Sequence, residues 1–113
     1  MNDNSGFIVI HRKILDWEWY GDTNTVRLFL HCLLKANWEN KQWQGIEIKR
    51  GSFVTGRKIL AKETGLSEQQ VRTSLNKLIS TNEITKRTTN KYTVITINNY
   101  CKYQDYNQQI TNK

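Results

Sequence analysis

Apolar residues recur at helical spacing over two adjacent stretches in the middle of the chain. The second stretch, residues 67–79, repeats them at intervals of three or four positions, at Val71, Leu75 and Leu78. A repeat of this kind gives a helix one face that packs on the core. The first stretch ends before residue 64, and its pattern directs Ile59 and Leu60 inward. The two stretches therefore predict two packed helices in succession.

Residues at the ends of these stretches are typical of helix caps. Thr55 is expected to cap the first helix, and Gly65 to end it, because glycine readily adopts the left-handed conformation found at helix C-termini. Ser67 then caps the second helix, and Gln70 three residues later completes a capping-box pattern. Residues 55–79 thus predict a helix-turn-helix.

The polar face of the second predicted helix carries side chains suited to a DNA groove. Amide, guanidinium and hydroxyl groups can donate to or accept from base edges in the major groove. The candidate base-reading residues are Gln69, Arg72, Thr73 and Asn76. Amphipathic helix pairs with a glycine turn also occur in domains that contact no nucleic acid, so a purely structural role stays open.

β-branched residues dominate the segment that follows. Residues 83–88 and 91–97 are rich in threonine and isoleucine and predict two strands joined near residue 90, the wing of a winged helix. The fold class expected is α+β, a winged helix-turn-helix with an additional amino-terminal helix or strand and a β-hairpin wing. The groups expected to contact DNA phosphates, one serine and six cations, are Arg57, Lys58, Ser67, Lys77, Lys86, Arg87 and Lys91.

Four further segments of the amino-terminal half have a predicted structure. Residues 7–10 fit a strand or the start of a helix, and residues 11–20 predict a short helix. Residues 38–55 predict a hairpin that turns at residues 50–52 and returns through residues 53–54. Between them, residues 25–37 predict an apolar helix with a core stripe at Val26, Phe29, Leu30, Leu33 and Leu34.

The helix predicted over residues 25–37 carries more apolar surface than one core stripe requires. A second stripe lies beside the first, and either residues 7–20 or a second copy of the chain is expected to cover it. Trp17 and Trp19 are two positions apart and cannot share one face of a helix, so one indole is expected to serve a partner. The candidate self-association residues are Trp17, Trp19, Leu28 and Cys32.

The chain is basic, and most of the excess lies on the predicted DNA-binding part. The 113 residues include 17 Lys and Arg against 10 Asp and Glu, a net charge of +7. Eight cations and three acids lie between residues 55 and 91, a net +5. A basic excess on one module is the electrostatic footprint of phosphate binding.

Motifs for catalysis, metal binding or membrane insertion do not stand out. His11 and His31 have no nucleophile at motif spacing, and Cys32 and Cys101 lie too far apart for a metal-ligand pair. We therefore expect a non-enzymatic protein without metal or cofactor. The chain has no apolar run of membrane-spanning length and no signal-peptide pattern, which favours a cytoplasmic protein without a membrane partner. Residues 1–106 are expected to form one domain, and residues 107–113 a disordered tail.

Four segments resemble the amino-terminal part of replisome-organiser and DnaD-like replication proteins of phages. They are GFIVIHRKILDWEWY, WQGIEIKRGSFVTGR, TGLSEQQVRTSLNKL and TNKYTVITINNY, which begin at residues 6, 43, 64 and 89. The resemblance extends over about residues 6–103. It implies a self-associating winged helix, a homodimer or higher homo-oligomer, that binds double-stranded origin DNA and assists a host replication protein. Residues 67–77 would be the DNA-reading helix and residues 86–91 the wing.

Two other functions fit parts of the same pattern. Winged-helix transcription regulators share the helix-turn-helix spacing, including the run LAKETGLS. A phage protein-interaction module that binds a host protein through its tryptophans is the other alternative. Proteins of the replisome-organiser group usually continue into a second domain, so the resemblance implies DNA binding more directly than helicase loading.

Overall fold

The structure, a computed structural model, describes residues 6–104 as an α+β fold with four α-helices and two antiparallel sheets. The helices are α1 (Thr23–Lys35), α2 (Arg57–Thr64), α3 (Glu68–Ser80) and α4 (Cys101–Gln104), preceded by a 3-10 helix (Arg12–Asp16). The strands are β1 (Lys41–Trp43), β2 (Ile46–Ile48), β3 (Ser52–Thr55), β4 (Ile84–Thr88) and β5 (Thr93–Ile97). β1 pairs with β2, and the second sheet has the order β3-β5-β4. Within the described range, none of the helices is long and apolar enough to cross a membrane.

One core joins the first three α-helices to the three-stranded sheet. At the crossing of α1 and α3, the buried hydroxyl of Thr25 donates to Ser74 Oγ over 3.1 Å. Arg27 on α1 donates from Nε to the carbonyl oxygen of Thr64, the last residue of α2, over 3.3 Å. Because α1 contacts both α2 and α3 in this way, α2 and α3 keep a fixed orientation relative to each other. The polar face of α3 is turned outward.

The register of the three-stranded sheet decides which side chains of the β4–β5 hairpin face the helices. Residues directly opposite each other in antiparallel strands point to the same face of a sheet. Phe53 lies opposite Ile95, which lies opposite Lys86. Phe53 and Ile95 are buried in the core, so Lys86 lies on the helix side of the edge strand. Arg87 follows it in the strand and lies on the other face.

The hairpin predicted over residues 38–55 has a different turn and different partners. β1 and β2 connect through Gln44 and Gly45, whose positive φ values of 48° and 78° suit a tight two-residue hairpin. β3 instead crosses to β5 in the other sheet. Gly51, predicted as the turn, has φ 85°, and a Cβ there would lie 2.9 Å from Tyr100 Cβ. Glycine is therefore required at that position by both backbone and packing.

The amino-terminal segment forms less helix than predicted. Only residues Arg12–Asp16 are helical, and Trp17 is already extended, with φ −71° and ψ 137°. Trp17 Nε1 donates to Glu83 Oε2 over 3.2 Å, and Trp19 Nε1 donates to Thr81 Oγ1 over 2.9 Å. Both indoles therefore lie against the connection from α3 to β4. The prediction of opposite faces was wrong because this backbone is not helical.

The face of α1 that packs on the core differs from the predicted one. Leu28 and Cys32, assigned to self-association, are each 0% exposed, whereas Leu34 from the predicted core stripe is 66% exposed. Trp17 packs on Phe29 with ring centroids 5.1 Å apart, so the amino-terminal segment covers α1 within the chain. The second apolar stripe is thus the centre of the core, and Leu28 and Cys32 are not available to a partner.

The C-terminal tyrosines dock on the domain as far as the structure describes them. Tyr100 is buried, and Tyr103 packs edge-on against Phe29 with centroids 5.8 Å apart. The carbonyl oxygen of Tyr103 accepts a hydrogen bond from the amide of Val9 over 2.6 Å, which ties the two ends of the described chain together. Tyr106, the predicted tail and residues 1–5 lie outside the described residues.

Candidate nucleic-acid interface

α3 begins with the predicted capping box. Ser67 Oγ accepts from the amide of Gln70 over 3.0 Å, and Gln70 Oε1 accepts from the amide of Ser67 over 2.9 Å. Gly65 ends α2 in the left-handed conformation with φ 80°, as its position predicted. These local interactions fix the turn between α2 and α3 and the direction in which α3 leaves it.

α2 begins one residue later than predicted, and its cap is different. The N-cap is Gly56, which has no side chain to bond the first amides, and Thr55 is the last residue of β3. Pairing with Thr93 in β5 holds Thr55 in the strand. Leu60 is buried as predicted, but Ile59 is 52% exposed and was wrongly assigned to the core.

The predicted base-reading residues share the exposed face of α3. They lie at positions i, i+3, i+4 and i+7, and all four are exposed: Gln69, Arg72, Thr73 and Asn76. The opposite face carries Val71, Leu75 and Leu78, all buried as predicted. The helix therefore presents a continuous polar surface, flanked by one groove on each side.

The first groove, here called the basic groove, lies between the start of α2, α3 and the β4–β5 hairpin. It measures about 290 Å³. Arg57, Arg72 and Lys86 reach it from three separate elements. Arg57 Nε lies 3.8 Å from Glu68 Oε1, while Arg72 and Lys86 have no acidic partner within residues 6–104. Its lining consists of Thr55, Gly56, Arg57, Leu60, Arg72, Leu75, Lys86, Thr88, Thr93 and Ile95.

Three threonines form a row across the sheet at one end of the basic groove. Thr55 on β3 lies opposite Thr93 on β5, which lies opposite Thr88 on β4. The hydroxyls of Thr88 and Thr93 are 3.3 Å apart and hydrogen-bonded. None of the three was predicted as a site residue. The row becomes visible only once β3 is known to pair with β5, and no short-range signal in the sequence gives that pairing.

The second groove, here called the polar groove, lies between α3 and the start of α1 and measures about 350 Å³. Gln69 and Thr73 line it, together with Asn24, which was not predicted. Lys77 also lines it, but its ammonium group is 2.5 Å from Asp22 Oδ2. The hydrogen bond from Lys77 lowers the pKa of Asp22. Lys77 is therefore engaged in an ion pair with Asp22, and its predicted contact with a DNA phosphate stays a prediction.

The remaining predicted phosphate contacts lie outside both grooves, apart from Ser67, which lines the polar groove. Lys58 is exposed on α2 beside the basic groove. Arg87 is on the far face of the hairpin, because it lies opposite Val94 and not opposite Ile95. Lys91 is in the turn at the tip, where Thr89 donates to the carbonyl of Tyr92 over 2.8 Å. The structure thus brings together Arg57, Arg72 and Lys86 and separates them from Arg87.

A third cavity, of about 450 Å³, lies between the amino-terminal segment, α1 and α4 and shares no lining residue with either groove. Its wall includes Trp17, Phe29 and Tyr103. Burial, with a smaller effect of Glu83, raises the pKa of Tyr103 to about 12. Across residues 6–104, no three His, Cys, Asp or Glu side chains lie close enough to hold a metal ion.

Comparison with protein-family models, with curated proteins and with solved structures gives no match.

Proposed function

We propose that this protein is a winged helix-turn-helix domain that binds double-stranded DNA, with α3 in the major groove and the β4–β5 hairpin as the wing. One observation carries the proposal: Arg57, Arg72 and Lys86, from three elements distant in sequence, converge on a groove beside the exposed polar face of α3. Cations gathered in this way attract phosphates, and a major groove about 12 Å wide admits one helix.

The two kinds of contact separate by position on α3. Gln69, Thr73 and Asn76 are exposed along the helix and carry groups that can pair with base edges. Arg72 lies at the border between this face and the basic groove, where a long guanidinium can reach a base edge or a phosphate. Lys86 and Arg57 line the basic groove from outside α3, and the proposal assigns them to phosphates. Sequence preference is therefore expected to depend on Gln69, Thr73 and Asn76. General affinity is expected to depend on Arg57 and Lys86.

The biological setting proposed is initiation of phage or mobile-element replication. It follows from the resemblance of the four segments to replisome organisers, whose amino-terminal domain binds origin DNA. A transcription regulator would use the same helix and wing. Mapping bound sites on the genome that carries the gene separates the two: repeats clustered in one replication region support replication, and promoter sites support regulation.

Self-association stays part of the proposal, but through a surface other than the one predicted from the sequence. A dimer would place two copies of α3 on one duplex and raise its affinity. Leu28 and Cys32 are buried, so any contact between copies must use other residues. The large apolar side chains exposed on the amino-terminal segment are Phe7, Ile10, Leu15 and Tyr20. The same surface would suit a host replication protein.

The test is binding of a duplex of about 20 base pairs, two helical turns, followed by fluorescence anisotropy. The double variant Arg72→Ala/Lys86→Ala should weaken binding at least about tenfold, because it removes two cations from the basic groove. The matched control is Lys41→Ala/Lys49→Ala, which removes two exposed cations near the β1–β2 hairpin. Equal weakening by both pairs, or a wild-type protein that binds no duplex, would contradict the proposal.

A further inference from the structure

We propose that the threonine end of the basic groove is a binding site for a phosphate group, built from the hydroxyl of Thr55 and the first turn of α2. On DNA it would hold one backbone phosphodiester; that identity of the ligand rests on the function proposed above. The site itself is defined by groups of this chain, and it assigns a role to Thr55, which lies in a strand and caps no helix.

The hydroxyl of Thr55 is buried in the protein and has no hydrogen-bond partner. Thr55 is 4% exposed and lines the basic groove. Its Oγ1 is the one buried side-chain oxygen or nitrogen in the described chain without a hydrogen-bond partner. A buried hydroxyl without a partner is unfavourable, so such groups are normally satisfied. Thr93, its neighbour across the sheet, bonds instead to Thr88. A phosphate oxygen entering the groove would supply the missing acceptor.

The start of α2 presents backbone amides that have no acceptor within the helix. The first intrahelical bond runs from the amide of Leu60 to the carbonyl of Gly56 over 2.9 Å, so the amides of residues 57–59 have no acceptor within the helix. Gly56 has no side chain to cap them, and the first turn contains no acidic residue. These amides and the helix dipole give the end a partial positive charge that favours anions. Gly56 lines the groove directly after Thr55.

The charges and the floor of the groove favour a phosphate over water. Arg57, Arg72 and Lys86 can each pair with an oxygen of the ligand. The floor is apolar, formed by Leu60, Leu75 and Ile95, and a surface of low polarity strengthens electrostatic attraction. One nearby group opposes binding: the carboxylate of Glu68, 3.8 Å from Arg57 Nε, competes with the ligand for that guanidinium.

Access to the hydroxyl requires a small movement. Less than 1 Å² of Thr55 Oγ1 is accessible. Arg57 and Lys86 are long, exposed side chains that line the same groove, and the proposal includes their rearrangement toward the incoming anion. The ligand class is therefore a tetrahedral phosphate oxyanion small enough to enter between these side chains, supplied by a DNA backbone or as a free phosphate.

The experiment compares Thr55→Val with the wild type on the whole chain. Valine keeps the branched shape and removes only a hydroxyl that has no protein partner, so the variant should unfold at the same temperature or higher. In solution NMR at constant ionic strength, inorganic phosphate should shift the amides of residues 57–59 in the wild type. Thr55→Val should weaken both phosphate and duplex binding about tenfold, the usual effect of losing a bond to a charged group.

Two controls separate the hydroxyl from packing and from charge. Thr85→Val removes a threonine hydroxyl on the other face of the sheet, one that donates to Asn98 Oδ1 over 3.1 Å, and should bind like the wild type. Thr55→Ser keeps the hydroxyl and should retain binding; if it binds as weakly as Thr55→Val, packing explains the loss and the site is overturned. Thr55→Val should leave the salt dependence of duplex binding unchanged, whereas Arg57→Ala should lower its slope by about one.

The outcomes distinguish this site from the function proposed above. If the wild type binds duplex but Thr55→Val binds duplex and phosphate equally well, the site is overturned and DNA binding stands. If phosphate shifts the amides of residues 57–59 in a manner that depends on Thr55 while no duplex binds, the site stands for free phosphate and DNA binding fails.

Discussion

Lys77 in the last turns of α3 and Asp22 at the start of α1 form an ion pair, with Nζ 2.5 Å from Oδ2. The same aspartate caps α1 by accepting from the amide of Thr25 over 3.2 Å. The ammonium group also lies 5.5 Å from the ring centroid of Trp19, within range of a cation–π contact. One cation thus joins α3, the start of α1 and the amino-terminal segment.

The Asp22–Lys77 pair predicts a pH-dependent stability. The hydrogen bond from Lys77 lowers the pKa of Asp22 in the folded protein. The contribution of the pair is therefore complete above the ordinary aspartate pKa of about 3.9 and is lost as the pH falls through the lower folded value. Asp22→Asn, which still caps α1, should lower the free energy of unfolding by up to about 1 kcal/mol at neutral pH, because the pair is partly exposed.

Urea unfolding of the wild type and of Asp22→Asn from neutral to acid pH measures the difference between their free energies of unfolding. The difference between Asp22→Asn and the wild type should shrink to nothing below the folded pKa of Asp22. Asp22→Ala, which removes the cap as well, should cost about 1 kcal/mol more at every pH. A difference between Asp22→Asn and the wild type that is unchanged in acid would show that the charge of Asp22 does not stabilise the fold.

Glu68 should oppose DNA binding. Its carboxylate lies at the start of α3, 3.8 Å from Arg57 Nε at the edge of the basic groove. Glu68→Gln keeps the shape, removes the repulsion of phosphates and releases Arg57. We expect duplex affinity to rise about threefold at low salt, with the gain shrinking as salt screens the charge. Anisotropy titrations of wild type, Glu68→Gln and the control Glu39→Gln, an exposed acid outside both grooves, test this. An equal gain in the control would assign the effect to net charge alone.

The two cysteines should differ sharply in reactivity. Cys32 is fully buried, and burial raises its pKa to about 12, whereas Cys101 is exposed. Because the thiolate is the reactive form, a thiol reagent at mildly alkaline pH should modify Cys101 alone in the folded protein and both residues in denaturant. Two rapidly reacting thiols in the folded protein would contradict the place of Cys32 in the core.

Signals that act within a few residues predicted the local structure of α3 and of the turn before it well. Capping by Ser67 and Gln70, the left-handed Gly65 and the helical repeat at Val71 and Leu75 each depend on near neighbours, and the structure confirms all of them. The hairpin over β4 and β5 was predicted for the same reason, since its two strands are adjacent in sequence.

Features that depend on distant partners could not be predicted. Phe53 in β3 pairs with Ile95 in β5, so the row that contains Thr55 could not be read from the sequence around it. α1 is apolar on two neighbouring stripes, and only the packed structure decides that Leu28 faces inward and Leu34 outward. The ion pair of Lys77 could not be predicted because its partner, Asp22, caps another helix 55 residues away in sequence.

The salt dependence of duplex binding tests the central claim most directly. If Arg57, Lys58, Arg72, Lys86 and Lys91 neutralise about five phosphates, log affinity should fall against log salt with a slope of about −4 to −5. Replacing Arg57 and Lys86 together by alanine should reduce the magnitude of that slope by about two, because two phosphate contacts are lost. A wild-type slope near zero would contradict the account, because the cations around α3 would then not be used on nucleic acid.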